Sequence, residues 1–199
     1  MMCKLNKDEI IKAAILKGGQ RLFQQFGLNK TTMEDIAKSI GKGKSTLYYY
    51  YKSKEEIFSE VILKEMQSVF EATQKAVNET ESAFEKLRAF ALIRYKEIKA
   101  RTNLYNFVNT ECNEGFQLAL PLRNQFNTKE ILIVKSILIS GAQQNQFKSF
   151  EEEDLNIMAQ VFVSAIRGVE LDLIMDENTP GFEKRIEVIV DVLINGIKA

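Results

Sequence analysis

The sequence predicts an all-α protein of about nine helices, a small three-helix head at the N-terminus followed by a larger helical body. Three observations point there. Prolines are confined to Pro121 and Pro180, which leaves most of the 199 residues able to run as long helices. Capping-box pairs recur ahead of apolar runs, at Thr32 with Asp35, Ser53 with Glu56, Ser82 with Glu85 and Ser149 with Glu152. The runs themselves repeat at the three- and four-residue spacing of a helix face.

The first helix is expected from about Asp8 to Phe26, with Ile11, Ala14, Ile15, Gly18, Leu22 and Phe26 on one face and Gly27 as its stop. Thr32 caps the second, in which Met33, Ile36, Ala37 and Ile40 share a face. Gly41 offers the left-handed residue that ends it, and Gly43 lets the chain turn into a third, short helix from about Lys44. There Leu47 is the aliphatic anchor, so Lys44, Ser45, Thr46, Tyr48 and Tyr49 are left to project outward. A fourth helix starts at Lys54 after the Ser53 cap and runs to about Val77. Others are expected from Ser82 to about Lys99, Leu104 to Gly115, near Pro121 to Gln144, and the Ser149 cap to about Met175. Thr179-Pro180 opens the last, striped by Phe182, Ile186, Ile189, Val190, Leu193 and Ile197.

The segment from Thr31 to Phe58 carries the chemistry. Two short helices at a tight glycine turn form a helix-turn-helix, whose second helix enters the major groove with its N-terminal residues at the base edges. Lys44, Ser45 and Thr46 hold those positions. Lysine donates to guanine, the hydroxyls donate or accept, and the threonine methyl can touch thymine. Tyr48, Tyr49 and Tyr50 can direct phenolic hydroxyls to phosphates, contacts that fix register without reading sequence. The N-terminus of the next helix, with Lys54, forms a further phosphate anchor.

Charge supports the same reading. Residues 1 to 54 hold 11 Lys+Arg against 4 Asp+Glu, a net of +7, and residues 55 to 199 hold 16 against 23, a net of −7. A basic end on an acidic body fits a nucleic-acid partner, although the whole chain is neutral. The chain contains no His, which removes the commonest general base and the usual zinc ligands and argues against an enzyme. The acidic runs at Glu55-Glu56 and at Glu151 to Asp154 sit at helix starts, where they complement the helix dipole. Cys3 and Cys112 match no metal spacing and point to a reducing compartment. No metal or cofactor is implied. The opening MMCKLNKDE lacks an apolar core, and ILIVKSILISGA, the longest apolar stretch, is too short to span a bilayer, so a soluble, cytoplasmic protein is expected.

Over residues 8 to 58 the chain resembles the DNA-binding domain of TetR-family transcriptional regulators, whose run is a Thr-rich helix start, a Gly turn, then T-L-Y, aromatics and K-x-K. The resemblance implies Thr32, Tyr48 and Lys54 on phosphates, and Lys44, Ser45, Thr46 and Tyr49 in the recognition helix. Lys42 and Gly43 depart from the pattern, standing where a small apolar residue and a capping Ser are usual. The resemblance further implies a head at 1–53 and a ligand-binding and dimerisation body at 54–199. In the family the last two long helices pair with their copies, which assigns Val161, Phe162, Ala165, Val169, Leu173, Ile186, Val190, Leu193 and Ile197 to a homodimer interface. Phe90, Arg94, Tyr95, Tyr105, Phe107, Cys112 and Phe116 are the candidates for an effector cavity, aromatic walls with a few polar handles. The expected protein is a homodimeric repressor, released from a palindromic double-stranded operator by a small, largely apolar molecule. Two alternatives are a DNA-binding regulator without an inducer and a helical enzyme or interaction module carrying a helix-turn-helix-like segment.

Overall fold

The computed structural model describes residues 6–101, 116–175 and 182–197, and among these the regular structure is entirely helical. In chain order the helices are α1 (Lys7–Lys30), α2 (Met33–Ser39), α3 (Lys44–Tyr50), α4 (Lys54–Asn78), α5 (Ala83–Lys99), α6 (Phe116–Gln143), α7 (Glu152–Met175) and α8 (Phe182–Ile197). The helix expected over 104–115 lies outside the described residues. The chain divides into two compact units, Met1–Glu65 and Met66–Ala199, and the division falls within α4.

In the first unit, Asn6 and Glu9 cap α1 reciprocally, the Asn6 amide donating to Glu9 Oε2 at 2.8 Å. Gly27 interrupts α1 as its sequence position implies, at φ 77°, but one further helical stretch follows to Lys30. The buried Thr31 hydroxyl donates to the Gly27 carbonyl at 2.8 Å and so occupies an acceptor the break exposes. The buried face of α1 differs from the expected one: Ile15, Leu16, Gly18, Gly19 and Phe23 are buried, while Ala14 and Phe26 are exposed. The reason is that α1 meets two helices at once. A Cβ on Gly18 would lie 2.6 Å from Ser39 Oγ and 2.8 Å from Ile40 Cγ2, and one on Gly19 would lie 2.9 Å from Ile57 Cγ2 of α4. Only glycine allows both approaches.

α2 ends as its sequence predicts. Gly41 takes φ 65°, and the amides of Ile40 and Lys42 both reach the Ala37 carbonyl, at 3.2 and 3.0 Å. Leu47 of α3 is fully buried with Ile36 and Ile57, which fixes the rotation of the helix and therefore which residues face out. Phe23 and Phe58 meet edge to face, with centroids 5.1 Å apart.

In the second unit α6 runs along α7, and α5 packs on both α6 and α8. Leu87, Phe90, Ala91, Val134, Leu138, Phe162, Ile166, Ile186 and Val190 form its core. α6 begins at Phe116 and keeps Pro121 inside the helix, whereas the sequence suggested a start near the proline. Lacking an N–H, Pro121 forfeits one helical bond in the early turns. No described helix is long and apolar enough to cross a membrane.

Candidate nucleic-acid interface

The short helix α3 rests on Leu47 and turns Lys44, Ser45, Tyr48 and Tyr49 to solvent, with Thr46 half-buried at its side. Tyr48 is 49% exposed and Tyr49 78%. The Lys44 ammonium lies 5.7 Å from the Tyr48 ring centroid, one helical turn on, so the cation and the ring share a patch of surface. Gly43 caps α3 without a side-chain bond. The Thr46 amide donates to the Gly43 carbonyl at 3.0 Å, which closes the first turn of α3 on its cap residue.

The four consecutive tyrosines divide into two pairs. Tyr48 and Tyr49 face solvent; Tyr50 and Tyr51 hold α3 in place. The Tyr50 hydroxyl donates to Asp8 Oδ1 at 2.7 Å, and the buried Tyr51 hydroxyl donates to Glu60 Oε2 at 2.7 Å. The bond to Asp8 pushes the Tyr50 phenol up to about 12. Burial, then the Glu60 bond, raises Tyr51 further. Tyr50 was expected to serve phosphates with its neighbours, but its proton is already engaged.

Thr32 and Lys54 also carry internal partners. The Thr32 hydroxyl donates to Asp35 Oδ2 at 2.6 Å and accepts from the Asp35 amide at 3.2 Å; the bonds from Thr32 hold the Asp35 carboxyl below its ordinary range. Lys54 Nζ donates to the carbonyls of Leu28 and Asn29 at 2.9 and 3.2 Å, closing the end of α1 against the start of α4. An ammonium has three donors, so one more partner can be accommodated. The Thr32–Asp35 box is the one its local sequence predicts; the Lys54 bonds were not legible there, because they join residues 26 and 25 positions apart.

The residues proposed for an effector cavity are closely packed where they are described. Phe90 and Tyr95 are buried, and Phe90 lies 6.2 Å from Phe162 between centroids. Arg94 is bound into a buried ionic cluster: its Nε donates to Glu130 Oε1 at 2.9 Å, it pairs with Glu170, and Arg167 donates to Glu130 Oε2 at 2.5 Å and to Asn127 Oδ1 at 2.7 Å. Phe116 opens α6, and Tyr105, Phe107 and Cys112 lie outside the described residues. Among the described residues no group of three or more His, Cys, Asp or Glu is placed to hold a metal ion.

The residues assigned to a dimer interface separate by facing. Phe162, Ile186 and Val190 are buried in the second unit's own core. Val169, Leu193 and Ile197 are half-buried against that core, Ala165 is half-buried, and Leu173 lies in α7 beyond the described side chains. Val161 does face outward, with Ile157 on α7 and with Val188 and Val192 on α8, which the sequence stripe did not include. Helical spacing could have separated the sets, since 157 with 161 and 188 with 192 are each one turn apart.

Comparison with known proteins agrees with this geometry. The family model described as "Bacterial regulatory proteins, tetR family" matches residues 15–61, within the first unit. An uncharacterized HTH-type transcriptional regulator, YhgD of Bacillus subtilis, is 37% identical over 160 residues, covering 78% of this chain and 82% of the relative. The fatty acid metabolism regulator protein of Bacillus subtilis is 26% identical over 194 residues, covering 95% of this chain and 94% of the relative. The fold is also that of the transcriptional regulator FadR from Bacillus subtilis, solved in complex with stearoyl-CoA, at a TM-score of 0.69 and 20% identity over 93% of this chain and 98% of that one. With a helix-turn-helix built as described and a relative this similar along most of its length, the chain belongs to the tetR family of bacterial regulatory proteins and is a DNA-binding transcription regulator, not an enzyme.

Proposed function

We propose that the protein is a cytoplasmic homodimeric repressor that binds a palindromic operator through residues 1–53 and is released by a small, largely apolar effector taken up within 54–199. The observation that carries the DNA half is the outward face of α3, where Lys44, Ser45 and exposed Tyr48 and Tyr49 stand around a buried Leu47, with Thr46 beside them. Thr32 and Lys54 flank that face as phosphate contacts in this reading. One head alone offers few contacts, so two-fold pairing of heads is needed for affinity. Ile157, Val161, Val188 and Val192 supply the apolar face for that pairing, supported by their exposure on the two last helices.

The effector half draws on the relatives: one is a fatty acid metabolism regulator, and the solved FadR holds stearoyl-CoA. A long acyl chain is therefore the first effector to test. Control passes through α4, which begins at Lys54 and ends at Asn78. Tight packing at Phe90 and Tyr95 favours a second reading, a regulator without an inducer. Calorimetry separates the two. Stearoyl-CoA titrated into free protein and into the protein–operator complex should bind the complex more weakly, by the factor with which it weakens DNA binding. Equal affinities, or none, would reject acyl-CoA control.

A further inference from the structure

Tyr49 is the most exposed aromatic of the reading face, and a ring so exposed must be braced to make a reproducible contact. Its brace is Tyr50. The two rings meet edge to face, with centroids 4.9 Å apart and planes at 87°. Tyr50 is in turn fixed by its hydroxyl bond to Asp8, 2.7 Å long, between residues 42 apart in sequence. Asp8 stands in the first turn of α1, a helix frame already closed by the Asn6–Glu9 box. A carboxylate there also lies at the positive end of the α1 dipole. The chain of contacts thus runs from α1 through Asp8 and Tyr50 to the Tyr49 ring.

A carboxylate near a polyanion would ordinarily weaken binding by repulsion. Asp8 is therefore understood best through what it holds. We propose that Asp8 is a positioning residue for operator binding, which fixes the Tyr49 ring by way of Tyr50 and touches no DNA itself. Asp8 lies ahead of the stretch 15–61 matched by the family model, so this constraint is set outside the matched helix-turn-helix. The inference rests on the proposed role of Tyr49 as a DNA contact.

The test is a mutant cycle on the full-length protein, with binding to a selected operator duplex followed by fluorescence anisotropy over a range of salt. Asp8→Ala and Tyr50→Phe should each weaken binding roughly three- to tenfold, the scale of one lost hydrogen bond. Together they should do no more than either alone. Asp8→Asn, which keeps an acceptor, should retain most of the affinity. The salt slope should not change, because no phosphate contact is removed. In a Tyr49→Ala background, Asp8→Ala should have no further effect. An Asp8→Ala protein that bound DNA more tightly, or that lost the same factor with Tyr49 already removed, would overturn the positioning role. If Tyr49→Ala itself left binding unchanged, the fault would lie in the reading of Tyr49 as a DNA contact. Spectrophotometric titration supplies a readout independent of DNA: one tyrosine should return from about 12 towards the ordinary range in Asp8→Ala. An unchanged tyrosine titration would also count against the proposal.

Discussion

Arg94 and Glu130 form an ion pair inside the second unit, Nε to Oε1 at 2.9 Å, with Arg94 9% and Glu130 6% exposed. Removing one partner of a buried pair leaves a charge without its counterion, which costs about 3 to 5 kcal/mol. Arg94→Ala should be the more damaging change: Glu130 keeps Arg167 but Glu170 loses its cation, whereas Glu130→Ala leaves Arg94 with Glu170 and Arg167 with Asn127. Urea unfolding at neutral pH checks the order.

The same cluster sets a pH dependence. Burial pushes the Glu130 carboxyl up, but Arg94 and then Arg167 outweigh it, and the net shift is downward from 4.5. A carboxyl whose folded pKa is depressed contributes stability above its unfolded value and loses it as pH falls through the folded value. The penalty of Glu130→Gln should therefore be full at neutral pH and shrink below about 4.5. Unfolding curves for both proteins between pH 7 and pH 3 test this. A penalty independent of pH would mean that Glu130 is not held ionised by its arginines.

Two neighbouring valines on α8 should respond in opposite ways to a charge. Val192 is 66% exposed and Val190 is fully buried, so Val192→Glu should give a folded monomer with poor operator affinity, and Val190→Glu should unfold the second unit. Light scattering and circular dichroism distinguish these outcomes. A Val192→Glu protein that stayed dimeric would remove this face from the interface.

Lys54 is expected to have two effects. Lys54→Met keeps the aliphatic stem but loses the bonds to Leu28 and Asn29, so the first unit should lose about 1 kcal/mol of stability. Binding should weaken nearly equally across DNA sequences, and the salt slope should fall by about one unit if the remaining donor serves a phosphate. An unchanged slope would assign Lys54 to the α1–α4 closure alone.

Features carried by local sequence were legible before the fold. The Thr32–Asp35 box, the left-handed Gly41 and the Leu47 anchor all depend on residues within a few positions of one another. Helix facing was legible only where a helix has one apolar stripe. α8 has two, with 186, 190 and 194 inward and 188 and 192 outward, and hydropathy alone ranks neither set first. Arg94 read as a polar handle for a ligand because its partner Glu130 is 36 residues away. Gly27 was legible as a break, but not that helix resumes beyond it, since Thr31 bonding back to its carbonyl is a contact of the folded chain.

The central claim, that the face of α3 reads DNA as one half of a dimer, is tested most directly by selecting duplexes from a random library with the wild-type protein and with Lys44→Ala. The wild type should enrich an inverted repeat whose half-sites lie about 34 to 36 Å apart or a multiple of that, bound with strong salt dependence. Lys44→Ala should relax preference at the base pair it contacts, at a cost of about 1 to 3 kcal/mol. No enriched repeat, or an identical preference from both proteins, would contradict the assignment.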